Sequence, residues 1–440
     1  MRAAFIAFPP LLAALTLAQP SLASPVETSA GLVDIAPVVT GLDEPWAIAF
    51  LPDGRPLITE RDGRLLFVTE GQATAIAGLP DVYAEGQGGL LDVMVPRDFD
   101  QSREVWVSYA MPLSGGAATA VGKGRLSQDG KTLDGFTPLY HGDATRGGRH
   151  FGSRLVEATD GTVFLTTGDR GTGPDGMQAQ DPARVEGKVI HLNRDGSPAT
   201  RLPGHRPGVF SLGHRNAQGA TLDVQGNLIL VEHGAQGGDE LNRVERGKNY
   251  GWPVISYGED YGGGQIGIGV AQDGMEQPLH YWVPSIAPSG LLVYSGDLFP
   301  QWQGDIFTGS LNSDFISRLD PDAGLAEERI DWPGGARMAL SVVVNVEEGS
   351  EQSVVRGDRG MEPVDELGIF IKAPIRNYGN ESNYLYGIKA GAPRVVKLLK
   401  AFDIKASWTV AALSLENHPQ LAEAIVELGH EPVSHGWRWV

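Results

Sequence analysis

The 440-residue sequence contains no cysteine. A chain without cysteine forms no disulfide, offers no thiolate to zinc and has no cysteine nucleophile, so any metal must be held by oxygen or imidazole ligands. Basic residues are also scarce: 35 Lys and Arg stand against 54 Asp and Glu, a formal net charge of −19. This charge argues against nucleic acid and anionic lipid as partners, because both bind clustered Lys and Arg.

Long apolar runs are lacking too, apart from a short one at the N-terminus. Residues 1–23 combine an early Arg2, an apolar stretch and a small-residue site at Ser21-Leu22-Ala23. This pattern predicts a secretory signal peptide and a periplasmic or secreted protein. The uninterrupted run from Leu11 to Ala18 is too short to cross about 30 Å of hydrocarbon, so no membrane span is expected.

Glycine and proline are abundant, with 59 and 29 residues, beside 41% hydrophobic residues. This composition predicts a turn-rich globular protein of one large domain or two ordinary ones. A similar unit recurs five times between about residue 40 and about residue 320, with an apolar strand, a tight turn, a second strand and a polar loop. The copies begin at Glu44, Gly88, Ser153, Gln218 and Ser289.

The tight turns indicate how each unit folds. Asp53-Gly54, Asp160-Gly161 and Gln225-Gly226 stand between alternating apolar residues, which is typical of β-hairpins. Repeated all-β units predict a β-propeller, whose sheets bury their faces against one another around a channel. A β-sandwich with irregular loops is the alternative, but the spacing of the units favours blades. Function is then expected in the polar loops at one end of the channel.

One loop pair suggests acid–base chemistry. His150 and Asp169 lie nineteen residues apart, at the two ends of one predicted hairpin. The hairpin would bring them together, so that Asp169 holds the imidazole in one tautomer and His150 acts as a general base. A structural histidine is the commoner role for such a residue, and the spacing alone leaves both roles open.

Two further loops are rich in polar atoms. Arg215 and Asn216 could offer a fixed cation and an amide to an anionic group. Asp239, Glu240 and Tyr250 stand among glycines that leave backbone carbonyls open, an arrangement that suits calcium. A solvated turn is the alternative for the acidic pair, and an inter-blade contact is the alternative for Arg215.

Several stretches resemble the soluble pyrroloquinoline-quinone (PQQ)-dependent aldose dehydrogenases of the glucose/sorbosone dehydrogenase family. They occur in family order over about residues 32–325: EGQGGLLDV, HFGSRLV with TTGD, GKVIHLNRDGS, LGHRNAQG, EHGAQGGDELN, GKNYGWP and PSIAPSGLLVYSGDLFP. The resemblance implies a six-bladed propeller that binds PQQ and Ca²⁺ at the channel mouth. It further implies oxidation of aldose sugars at C1 to lactones, with electrons passed to a diffusible acceptor.

The resemblance also implies roles for individual residues. His150 would be the base that takes the C1 hydroxyl proton, Asp169 would orient it, and Arg215 would stabilise negative charge on the quinone. Cofactor contacts are implied for Gln87, Arg215, Asn216, Ser285 and Asn312. Metal contacts are implied for Gly234, Ala235, Asp239, Glu240 and Tyr250.

Two departures from the family pattern stand out. Asn312 occupies the place of a lysine that usually contacts the quinone. The sequence also changes character near Asp331, where a sixth blade is expected, so residues 32–330 would form about five blades. The junction has no linker composition and fits a fusion of two incomplete domains.

Residues 331–440 resemble the start of polysaccharide deacetylases of the allantoinase type, through WPGGARMALSVVVNVEEGSE, ESNYLYGIKAGAPRVVKLL and VELGHEPVSHGWRW. The resemblance implies a truncated α/β barrel fragment, with Glu347-Glu348 and His435 at metal-site positions. Helices are expected over Pro393–Ala401 and Pro419–Gly429. Two alternatives to the dehydrogenase follow: a binding-only propeller without turnover, and a C–N hydrolase or deacetylase in the C-terminal segment.

Overall fold

The computed structural model describes residues 25–36, 38–171, 176–331, 343–346, 348–358, 375–376, 378–402, 404–434 and 436–438. The chain divides into two compact units between residues 338 and 339. The predicted signal peptide at residues 1–23, Glu347 and His435 lie outside the described residues. No helix in the described ranges is long and apolar enough to span a membrane.

The first unit is built from antiparallel strands. A short hairpin of β1 (Val26–Thr28) and β2 (Gly31–Val33) precedes five four-stranded sheets, or blades. Blade 1 contains β3 (Pro45–Phe50), β4 (Pro56–Glu60), β5 (Arg64–Thr69) and β6 (Gln72–Ile76). Blade 2 contains β7 (Leu90–Met94), β8 (Glu104–Leu113), β9 (Gly116–Leu126) and β10 (Leu133–His141), with the one-turn helix α1 (Phe99–Ser102) between its first two strands.

The remaining blades repeat the same order. Blade 3 contains β11 (Gly152–Glu157), β12 (Val163–Thr167), β13 (Lys188–Leu192) and β14 (Val209–Leu212). Blade 4 contains β15 (Ala217–Leu222), β16 (Leu228–Glu232), β17 (Asp239–Val244) and β18 (His280–Trp282). Blade 5 contains β19 (Pro288–Val293), β20 (Ile306–Ser310), β21 (Phe315–Asp320) and β22 (Ala326–Asp331). The all-β prediction and its five repeats are confirmed, and the described residues contain no sixth blade.

The predicted turn glycines close the first hairpins of three blades. Gly54, Gly161 and Gly226 have φ angles of 83°, 85° and 84°. A residue with a Cβ is strained in this left-handed region, whereas glycine adopts it freely. The turns therefore lie where the sequence predicted them, and they set the register of the flanking strands.

The blades pack face to face in chain order. Between blades 1 and 2, for example, Leu57 and Leu65 pack with Leu90 and Val93, and all four are buried. Similar clusters join blades 2 and 3, 3 and 4, and 4 and 5.

The outer faces of the first and last blades leave apolar side chains exposed. On blade 1, Ile48 and Phe50 are 54% and 60% exposed. On blade 5, Leu292 and Ile316 are 55% and 46% exposed. A further blade would bury such positions, because propeller sheets cover one another around the ring.

Arg154 ties four of the five blades together around the channel. The side chain starts on blade 3, and its Nη1 lies 3.2 Å from Oδ1 of Asp92 on blade 2. Its Nε donates to the carbonyl of Gln218 on blade 4 at 2.6 Å. The guanidinium also lies 4.1 Å from the ring centre of Trp46 on blade 1. One side chain thus helps to fix the arrangement of four innermost strands.

The second unit is an α/β arrangement. Its parallel sheet has the order β23 (Val343–Val346), β24 (Ser407–Val410) and β25 (Glu431–Ser434). The helices are α2 (Tyr378–Tyr386), α3 (Ala392–Ala401), α4 (Ala412–Asn417) and α5 (Pro419–Glu427), with a π-helical turn between α2 and α3. The helix predicted from Pro393 is confirmed, and the one predicted from Pro419 ends two residues early. Three parallel strands are described here, and the predicted barrel fragment stays a prediction.

Candidate active site

His150 and Asp169 lie together at one end of blade 3. His150 precedes β11 and Asp169 follows β12, and the pairing of Gly152 with Thr167 brings these two ends side by side. The Nδ1 atom of His150 is 2.6 Å from Oδ1 of Asp169. The side chains are 13% and 3% exposed, so the histidine ring is the more accessible partner. The predicted pairing is confirmed.

The surroundings of Asp169 favour its ionised form. Burial on its own raises the pKa of a carboxyl group. The hydrogen bond and charge of His150, the backbone N–H of Gly171 and the charge of Arg215 outweigh burial and hold the pKa of Asp169 below its usual value. An ionised Asp169 accepts the Nδ1–H of His150, which leaves Nε2 of the ring as the proton acceptor.

The backbone of His150 is held in an unusual conformation. Its φ angle is +48°, in the left-handed region that residues with a side chain seldom adopt. The backbone N–H of His150 donates to Oε1 of Gln87 at 2.7 Å. A Cβ on Gly168 would lie 2.0 Å from the His150 carbonyl oxygen, so only glycine fits there. Gln87 therefore positions His150, a role that the sequence did not indicate.

Arg215 provides the buried cation of the site. Its Nη1 lies 3.3 Å from the His233 carbonyl oxygen, and its Nη2 lies 3.3 Å from the Tyr261 hydroxyl oxygen. Its Nε has no hydrogen-bond partner among the described residues, and the residue is only 6% exposed. A buried guanidinium with an unused N–H group suits an anionic ligand.

Two cavities adjoin these residues. The larger, about 630 Å³, is lined by His150, Asp169 and Arg215 together with Met177 and the segment 252–268. The smaller, about 180 Å³, is lined by Gln87 and Asn216 among others. The predicted catalytic residues thus share one cavity, while two of the predicted cofactor contacts face another.

Trp252 was not assigned a role from the sequence, although it stands in the GKNYGWP stretch. Its indole Nε1 donates to Oδ2 of Asp169 at 2.7 Å. Its ring centre lies 5.2 Å from the Arg215 guanidinium carbon, within range of a cation–π contact. The only sequence signal was a tryptophan in a glycine-rich loop, because the two partners are 83 and 37 residues away in the chain.

Ser285 and Asn312 lie together on the blade 5 side. The Asn312 side-chain amide donates to the Ser285 carbonyl at 2.8 Å. The Ser285 hydroxyl donates to Oδ2 of Asp239 at 2.7 Å. Asp239 also accepts the backbone N–H groups of Gly234, Ile286 and Ala287. Its carboxylate therefore braces the Gly234 loop, and the cofactor contacts of Ser285 and Asn312 stay predictions.

A family model described as glucose / sorbosone dehydrogenase matches residues 42–350, more than half of the chain. The chain belongs to the glucose/sorbosone dehydrogenase family. Aldose sugar dehydrogenase YliI of Escherichia coli K12 is 41% identical over 303 residues, which cover 66% of this chain and 81% of YliI.

Solved structures of dehydrogenases named for aldose sugars share the propeller. The apo-form of soluble aldose sugar dehydrogenase from E. coli aligns with a TM-score of 0.61 at 40% identity and covers 66% of this chain and 87% of that one. The PQQ-bound form of aldose sugar dehydrogenase from Streptomyces coelicolor aligns at 0.56 and 27%, covering 67% and 83%.

The C-terminal segment has a separate similarity. A polysaccharide deacetylase-like protein of Schizosaccharomyces pombe is 33% identical over 125 residues, 28% of this chain and 39% of that protein. The chain thus spans well under half of this relative. The resemblance predicted from the sequence is confirmed for both parts of the chain.

Three residues predicted to contact calcium, Gly234, Glu240 and Tyr250, line a small cavity that Arg215 and Trp252 also line. This cavity, about 10 Å³, has room for one water-sized atom and is lined by Glu240 and Tyr250 with Glu232 and Gly234. Burial and the nearby Glu232 raise the pKa of Glu240 to about 8, above its usual value. Buried carboxylates and backbone carbonyls are the oxygen donors that Ca²⁺ prefers.

Other predicted metal contacts are placed differently. The Tyr250 hydroxyl donates to the Arg243 carbonyl and accepts the Glu245 N–H, so only the Tyr250 backbone carbonyl is left for a cation. Ala235 lines the larger cavity beside Arg215. Within the described ranges, no three His, Asp or Glu side chains cluster as metal ligands, so a calcium ion here would depend on carbonyls.

Proposed function

We propose that this chain oxidises the C1 hydroxyl of an aldose to a lactone, with PQQ and Ca²⁺ as cofactors. The observation that carries the proposal is the His150–Asp169 pair, 2.6 Å apart and lining one cavity with the buried Arg215. A base and a fixed cation facing one space are what alcohol oxidation by hydride loss requires, because a proton leaves the oxygen while negative charge grows on the acceptor.

The protein residues have separate tasks in this reaction. The bound quinone would supply the two-electron acceptor for the hydride that leaves C1 of the sugar. Nε2 of His150 takes the hydroxyl proton, while Asp169 holds Nδ1–H and stabilises the imidazolium that forms. Arg215 supplies positive charge in a buried site, where its attraction for anionic oxygens is stronger than in water. The sugar carbon loses two electrons and becomes the lactone carbonyl.

The remaining parts of the proposal concern the cofactors and location. Glu240 with the backbone carbonyls of Gly234 and Tyr250 would hold Ca²⁺ in the small cavity. Ala235, which lines the larger cavity, would contact a cation bound with the cofactor there. Gln87, Asn216, Ser285 and Asn312 would contact cofactor or sugar. The first 23 residues favour export to the periplasm or the medium, where a diffusible acceptor would collect the electrons.

The experiment is reconstitution of the purified full chain with PQQ and Ca²⁺. Stoichiometric binding is measured by equilibrium dialysis, and turnover by aldose-dependent reduction of a soluble dye. The proposal requires one PQQ per chain and sugar-dependent turnover. One PQQ per chain without turnover would support a binding-only propeller, a role favoured by Asn312 and the exposed faces of blades 1 and 5. Absence of binding would overturn both.

A further inference from the structure

We propose that Trp252 is a positioning residue, whose indole N–H fixes the Asp169 carboxylate so that its other oxygen faces His150. This inference deepens the proposed function and rests on it for its catalytic consequence. Oδ2 of Asp169 accepts Nε1–H of Trp252 at 2.7 Å, while Oδ1 meets His150 at 2.6 Å and the Gly171 N–H at 2.8 Å. Each carboxylate oxygen therefore has its own partners, and the group cannot rotate without losing them.

Trp252 is itself held by its backbone. Its N–H donates to the Gly213 carbonyl at 2.9 Å, and its carbonyl accepts Nε2 of Gln180 at 2.7 Å. Gln180 and Asn249 also exchange two side-chain hydrogen bonds. A donor anchored in this way does not follow Asp169 if the carboxylate moves, which is the property that positioning requires.

Gly176 lies beside the Trp252–Asp169 hydrogen bond. A Cβ on Gly176 would lie 2.7 Å from Nε1 of Trp252 and 2.8 Å from Oδ2 of Asp169. Only glycine, which adopts the φ angle of +82° freely, therefore fits at this position beside the bond.

Trp252 also connects the two halves of the site. Its ring packs near the Arg215 guanidinium, and its N–H meets the carboxylate that orients the base. Among the described residues, the charged groups that face Asp169 are His150, Arg215 and Arg170, all of them cationic or able to become so. Trp252 is the neutral donor of this group, so removing its N–H changes the hydrogen bonding of Asp169 without changing the net charge.

The test compares Trp252→Phe with Trp282→Phe. Trp282, on blade 4, is the control because its indole N–H donates to Oε1 of Glu327 at 3.0 Å, so its replacement removes a similar bond to a carboxylate other than Asp169. Carbon-13 NMR of the chain without cofactors follows the chemical shift of the Asp169 carboxyl carbon as a function of pH. The signal is assigned by its disappearance in Asp169→Asn. We expect the pKa of Asp169 to rise by about one unit, a tenfold gain in proton affinity, in Trp252→Phe only.

A second substitution at position 252 separates the loss of the N–H from a change in the shape of the side chain. Site-specific benzothienylalanine at position 252 keeps the ring shape and lacks the N–H, and it should raise the pKa of Asp169 equally. In the reconstituted enzyme both changes should lower kcat about tenfold and leave KM within twofold. An unchanged pKa of Asp169 in the benzothienylalanine protein would overturn the inference. If the pKa of Asp169 rises in the variants but the reconstituted wild-type chain shows no turnover, the positioning role of Trp252 is upheld and the proposed function is rejected.

Discussion

Nδ1 of His150 lies 2.6 Å from Oδ1 of Asp169, although nineteen residues separate them in the chain. The antiparallel pairing of β11 with β12 brings the residues before and after this hairpin to the same end of blade 3. The hairpin thus presents a buried carboxylate and a more exposed imidazole to one cavity. This arrangement fixes the tautomer of the ring, and a general base needs a fixed tautomer to accept a proton at one defined atom.

Replacing Asp169 by Asn should lower kcat on the order of 10²- to 10⁴-fold with little change in KM. An amide does not stabilise the imidazolium and can turn its NH₂ group toward the ring, which favours the wrong tautomer. The matched control is Asp160→Asn, at the turn of the same hairpin, where the side chain bonds only Thr162. Equal rates in the two variants would mean that Asp169 has no part in orienting the base.

The burial of Lys188 should make the free energy of unfolding depend on pH. Lys188 is fully buried, and its Nζ lies 3.0, 2.9 and 2.7 Å from the carbonyl oxygens of Gln178, Ala179 and Glu186. Burial lowers the pKa of Lys188 to about 7, below its usual value of 10.5. Between these pH values the unfolded chain holds a proton that the folded chain has released, so this group makes the free energy of unfolding rise with pH. Below about pH 7 both states are protonated and the contribution is constant.

The measurement is urea unfolding of wild type and Lys188→Met from pH 6 to 10. The difference in the free energy of unfolding should be constant up to about pH 7 and should then grow with pH in favour of wild type. Lys248→Met, at an exposed ion pair with Glu276, is the control and should show no such trend. A difference that is flat from pH 7 to 10 would show that folded Lys188 keeps its proton throughout.

The local features of the fold could be predicted from the sequence. Alternating apolar residues and Asp-Gly or Gln-Gly turns are set by neighbours in the chain, and all five blades followed from them. His150 and Asp169 were also predictable, because a single hairpin joins them. In contrast, Gln87 bonds His150 from 63 residues away in the chain, and Trp252 bonds Asp169 from 83 residues away. No local sequence pattern predicts such contacts. For Ser285, a family motif predicted a cofactor contact, but the motif did not indicate that the Ser285 hydroxyl donates to Asp239.

Arg154→Met should destabilise the propeller by about 3 kcal/mol, because it leaves the buried Asp92 without its cation. The change also removes the contacts to Trp46 and Gln218, on blades 1 and 4. Urea unfolding checks the value, with the exposed Arg55→Met as control. If Arg154→Met unfolds at the wild-type midpoint, the inter-blade contacts of Arg154 contribute nothing to stability.

Calcium should stabilise the wild-type chain and leave Glu240→Gln almost unaffected. At a hundredfold excess over Kd, a ligand that binds only the folded state adds about 2.7 kcal/mol, which corresponds to a rise in Tm of about 5 °C. Thermal unfolding with Ca²⁺, Mg²⁺ or chelator measures this rise. An equal rise for both chains would place the calcium away from Glu240.

The most direct measurement is the rate at which aldose reduces bound PQQ in a single turnover, followed by absorbance, for wild type and His150→Gln. His150→Gln should bind PQQ as wild type does and reduce it on the order of 10²- to 10⁴-fold more slowly, because glutamine takes up no proton. His205→Gln, at a half-buried ring whose Nδ1 lies 3.0 Å from the Pro203 carbonyl oxygen and which does not line the cavity of His150, should keep the wild-type rate. Equal reduction rates for wild type and His150→Gln would contradict a base role for His150.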